Sequence, residues 1–179
     1  MKKNILLLLL CCCCLFVSSG VAASTPICDG AFGLKWEFSL DEAATVAANN
    51  NWNLAFSARV PDPDLVPTWT QRYKGDIAGV KSNITLIFDQ NSSDPMSLYL
   101  ISADFSIDSA AERQTHFATQ LEKLKEQFGP PTKQQPANST YQMAEWSVPW
   151  QKGKVKVELA NTKMGYSLKY QIHGLRFAQ

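Results

Sequence analysis

The sequence predicts an α+β fold: antiparallel sheet with two helices packed on one face, arranged as two strand–helix–strands halves. Three observations predict it. Two helix-start signatures, Ser39-x-x-Glu42 and Ser109-x-x-Glu112, each sit directly behind a stretch of alternating apolar residues. Each helix pattern is followed by several further alternating stretches. The alternation has period two, which marks antiparallel strands wet on one side.

The elements follow in order. Lys2 and Lys3 precede an apolar run of 13 residues from Ile5 to Val17, and Val21-Ala22-Ala23 offers a small-residue cleavage site before Ser24. A cleaved signal peptide over residues 1–23 and an uncleaved anchor both fit this pattern. The run is short for a span, which favours the signal peptide. Cys11 to Cys14 do not follow the Leu-small-small-Cys pattern of a lipid anchor, because Leu10 directly precedes Cys11; Cys28 follows Thr25-Pro26-Ile27. The expected product is a periplasmic or secreted protein with no stable membrane insertion after signal cleavage.

Of 179 residues, 156 remain after the signal. This suits a single domain over residues 24–179, with halves at about 30–107 and 108–179. The 17 basic residues lose Lys2 and Lys3, leaving 15 against 16 acidic. A mature charge of −1 gives no general pull toward nucleic acid. Cys28 stays as the only cysteine, so no internal disulfide is expected. It can be a small buried residue or the thiol of an intermolecular bridge.

Phe32, Leu34, Trp36 and Phe38 alternate as a first strand. Ser39 then caps a helix from Leu40 to about Ala48, with Asp41 and Glu42 at the positive end of its dipole. Asn49-Asn50-Asn51 ends it. Strand patterns follow at Leu54–Val60, Trp69–Tyr73, Ile84–Phe88 and Leu98–Ile107. The second helix runs from Ala110 to Phe128, with Phe117, Leu121, Leu124 and Phe128 as its apolar stripe. Gly129-Pro130-Pro131 stops it. Gln142–Val148, Lys154–Leu159 and Tyr166–Ile172 complete the strands. One continuous sheet and two adjacent small sheets both satisfy this layout.

The segments FGLKWEFSLDEA and LEKLKEQFGPP, with a Trp-bearing strand after them, resemble small secreted bacterial proteins of unassigned role. Their domains open with Phe-Gly-x-x-Trp-x-x-Ser and a short helix with an acidic start. At the level of architecture the pattern is similar to outer-membrane assembly lipoproteins of the BamE type and to tandem-repeat periplasmic inhibitors such as the β-lactamase inhibitory protein. The matching segments cover about a fifth of the chain. The resemblance implies an α+β architecture, and it brings no catalytic residues with it.

After the expected signal the sequence has no Gly-x-Ser-x-Gly, Walker-type loop, Cys-x-x-Cys or His-Glu-x-x-His. His116 falls on the polar side of the second helix and His173 on the polar side of the last strand, so neither is expected to pair with Cys28 as a base. Asp89 to Asp94 has oxygen ligands but lacks the glycine and terminal glutamate of a Ca²⁺ loop, and reads as a turn. No catalytic residue, metal or cofactor is expected.

Two surfaces suggest binding instead. The loop after Val60 is stiffened by Pro61, Pro63 and Pro67, and carries Asp62, Asp64 and Leu65, with Trp69 and Tyr73 behind it. Trp150 sits before a Gln151-Lys152-Gly153 turn. Stiff loops with aromatic anchors lose little entropy on docking. Lys154 and Lys156 form a basic row, for an acidic partner or for keeping exposed strands apart. The expected function is non-catalytic: an inhibitor or immunity-type factor that binds another protein, an envelope-acting enzyme or toxin. A dimer is compatible with it. The alternatives are an envelope-assembly factor that binds an anionic polymer or lipid through the lysines, and a small hydrolase.

Overall fold

The computed structural model describes residues 26–60, 68–89, 96–135 and 141–173. The segment expected to be a signal, residues 1–23, lies outside them.

The first strand expected at Phe32–Phe38 is not a strand. The chain instead makes a small hairpin of β1 (Gly30–Ala31) and β2 (Leu34–Lys35). Phe32 and Glu37 have φ of 56° and 67°, which breaks the extended path. The alternation still reports burial, since Leu34 and Trp36 are both in the core. Trp36 Nε1 donates to the Cys28 carbonyl at 2.7 Å, which holds the hairpin closed on the chain before it.

Helix α1 (Leu40–Asn49) begins where expected. Ser39 Oγ accepts from the Glu42 amide at 3.3 Å, and Glu42 Oε2 accepts from the Ser39 amide at 2.8 Å, completing the capping box. Ala43 and Ala47 are fully packed, so the helix approaches the core closely. Its entry is tied to the sheet by Leu98, whose amide donates to Phe38 and whose carbonyl accepts from Glu37.

A four-strand meander follows: β3 (Asn53–Val60), β4 (Thr68–Ile77), β5 (Val80–Asp89) and β6 (Ser97–Phe105). Helix α2 (Ala110–Phe128) then begins at Ser109, whose Oγ accepts from the Glu112 amide at 3.3 Å. Gly129, at φ 79°, ends it in a conformation that costs glycine little. A second meander closes the fold: β7 (Lys133–Gln134), β8 (Tyr141–Trp150), β9 (Gly153–Thr162) and β10 (Gly165–His173).

The two meanders form one continuous antiparallel sheet of eight strands, in the order β3-β4-β5-β6-β10-β9-β8-β7. They meet through β6 and β10, where Leu168 stands opposite Ala103. The protein is therefore mostly antiparallel sheet with two helices. One side of the sheet is apolar and covered. Across six neighbouring strands, Tyr73, Ile84, Ala103, Leu168, Leu159 and Ala144 form one buried row. Helix α2 lies on β8 and β9 and buries Phe117, Leu121, Leu124 and Phe128. Each such side chain contributes about 2 kcal/mol relative to exposure. Trp146 Nε1 donates to the Gly129 carbonyl at 2.9 Å, fixing the end of α2 to β8.

Candidate functional site

The residues expected at a partner surface have separate fates. Asp62, Asp64 and Leu65 lie outside the described residues. Trp69 is half-buried on β4, and its Nε1 donates to Ser57 Oγ on β3 at 2.8 Å. Tyr73 and Trp150 were expected at the surface and stand in the core instead. Position 73 falls on the covered side of β4, opposite Ile84, and its hydroxyl donates to Gln71 Oε1 at 3.0 Å. Burial raises the Tyr73 pKa. Trp150 shares the covered side of β8 with Trp146 and Val148 and is 9% exposed.

Lys154 and Lys156 do lie on the open side of β9, but not as a free basic row. Lys156 Nζ is 2.8 Å from Glu145 Oε2 and 3.1 Å from Glu158 Oε2. Its hydrogen bond to Glu145 is the main cause of its raised pKa, and the same bond is the main cause of the lowered pKa of Glu145. Lys133 adds to Glu145 at 3.6 Å. Lys154 is exposed and stands opposite His173.

Cys28 is buried, with Sγ 3.7 Å from the Gly30 carbonyl. Burial pushes its thiol up to about 11, so it stays protonated at neutral pH. No hydrogen bond joins it to either histidine among the described residues. His116 is exposed on α2, its ring edge-on to Tyr166 at 6.2 Å. His173 lies at the other end of the same strand as Tyr166. Beyond Asp89, the oxygen-rich loop lies outside the described residues.

What the sequence reading missed is that β3, the strand expected at Leu54–Val60, stands at an edge of the sheet. Among the described residues this strand stands at one end of the sheet order and pairs with β4 alone. Leu54, Phe56 and Val60 on it are 56%, 42% and 41% exposed. A bulge between Leu54 and Phe56 turns Phe56, Ala58 and Val60 to the open side, opposite Arg72, Thr70 and Thr68. The Arg72 guanidinium sits 5.5 Å over the Phe56 ring. Inward from this edge the open side continues through Thr70, Ile87 and Leu100. Asp104 shares that side, its carboxyl pushed up by burial and partly brought back by Arg72. The pattern NLAFSARV carried the strand, but only the sheet order shows that it is an edge.

The chain matches no protein-family model, no curated protein and no solved structure in the comparisons.

Proposed function

We propose that the chain is an exported, non-catalytic binding protein that captures another protein, acting as an inhibitor or immunity-type factor on an envelope-acting enzyme or toxin. The observation that carries this reading is the apolar edge of β3. An edge strand of eight residues with exposed apolar side chains invites a further strand, and proteins commonly blunt such edges with lysine, proline or inward charge. β3 has Arg59 as its one charge and no lysine or proline. A partner strand that pairs with it would satisfy its backbone and bury Phe56 and Val60.

The single apolar side of the sheet supports the finer reading that both helices lie on one face. That arrangement leaves the other face open for a partner. Capture of an anionic polymer is less well supported, because Glu145 and Glu158 already neutralise Lys156.

The test pairs capture with inhibition. Immobilised chain and a Phe56→Asp/Val60→Asp variant are exposed to periplasmic extract, and any captured enzyme is purified and assayed. Support is one enzyme that loses activity on stoichiometric addition of the chain, but not of a variant that melts at the same temperature. Equal inhibition by the variant, or capture without inhibition, overturns the reading.

A further inference from the structure

The N-terminal hairpin packs onto the sheet, with Phe32 edge-on to Tyr170 at 5.8 Å. Beside it a cleft of about 440 Å³ stays open, with Phe32 on its rim. Its walls are Trp52 after α1, Ile77 and Val80 at the β4–β5 turn, and Phe105, Tyr166 and Leu168 on the sheet. Clefts of roughly 300–1,000 Å³ with apolar walls and few polar groups are the usual form of small-molecule sites.

The polar groups of this cleft are unevenly placed. His116, Gln120 and Lys123 line it from α2, at spacings of four and three that put them on one stripe. Lys123 is exposed and has no ion pair among the described residues. Asp76 borders the opposite side, but the strand alternation turns its side chain to the open face of the sheet. Tyr73, Gly75 and Ile77 take the covered positions, and Asp76 stands opposite Lys81. What Asp76 gives the cleft is its carbonyl, which accepts from Trp52 Nε1 at 3.4 Å. The charged side chain that faces the cleft among the described residues is therefore the cationic Lys123.

We propose that this cleft binds a small amphiphile with an anionic carboxylate head. The hydrocarbon body lies against Trp52, Ile77 and Phe105. The carboxylate lies at the α2 wall, where Lys123 supplies charge and Gln120 a donor. This site is separate from the β3 edge, so it stands or falls independently of protein capture.

Calorimetric titration with decanoate, below its micellar concentration, tests the proposal against decyltrimethylammonium, which has the same chain and the opposite head. The expected result is saturable binding of one decanoate per chain, at least about fivefold tighter than the cation. Lys123→Glu, at an exposed helix position, should abolish or reverse that preference while leaving the melting temperature in place. The Trp52 indole N–H resonance should shift on titration with decanoate. Absence of saturable heat, equal affinity for the two heads, a preference unchanged in Lys123→Glu, or an unmoved Trp52 resonance each overturns it.

Discussion

The Trp52 indole lies directly on the backbone of Gly75: a Cβ at residue 75 would come within 2.9 Å of the indole Cγ. With the Trp52 Nε1 bond to the Asp76 carbonyl, this contact clamps the end of α1 onto the β4–β5 hairpin. Gly75→Ala should push the indole off its seat and destabilise the protein by about 1–3 kcal/mol. Thermal unfolding should record a fall of several degrees, and the loss should shrink in a Trp52→Leu background. An unchanged melting temperature would mean that the indole moves aside freely.

Aromatic residues of similar appearance in the sequence should behave in opposite ways. Trp150 is in the core, so Trp150→Ala should cost about 3–5 kcal/mol in denaturant titration. Phe56 is exposed at the sheet edge, so Phe56→Ser should stay within about 0.5 kcal/mol. The same change should reduce any tendency of β3 to pair with another edge. Comparable losses from both variants would contradict the placement of β3.

Local signals were legible in the sequence and tertiary ones were not. The Ser39 capping box and the Phe117–Phe128 stripe are set by neighbours within one or two turns, and both helices begin where the sequence puts them. The alternation of β9 and β10 likewise marks their buried sides. The hairpin at Gly30–Lys35 mimicked a strand because Leu34 and Trp36 are buried by two-residue spacing without an extended backbone between Phe32 and Glu37. The continuity of the sheet depends on β6 meeting β10, some sixty residues apart, and no local pattern encodes that pairing. For the same reason Trp150 looked like a loop tip, and β3 could not be recognised as an edge.

Glu145 and Glu158 stand directly opposite each other on β8 and β9, a like-charge pairing that destabilises a sheet unless it is bridged. Lys156 bridges it, at 2.8 Å and 3.1 Å. The lowered pKa of Glu145 means that its contribution is complete above the ordinary glutamate value of 4.5 and fades as pH falls through the lower folded value. The raised pKa of Lys156 makes its contribution complete below 10.5 and lost as pH rises through the folded value. Glu145→Gln should therefore cost about 1 kcal/mol near neutral pH, and the gap from the parent should narrow toward both acid and alkali. Lys156→Met should cost more than Glu145→Gln, because it leaves two carboxylates side by side, and its deficit should shrink in acid as they protonate. Urea titrations across pH on the three proteins check this ordering. A Lys156→Met deficit that stayed constant from neutral pH into acid would show that the two carboxylates do not repel one another across the strands.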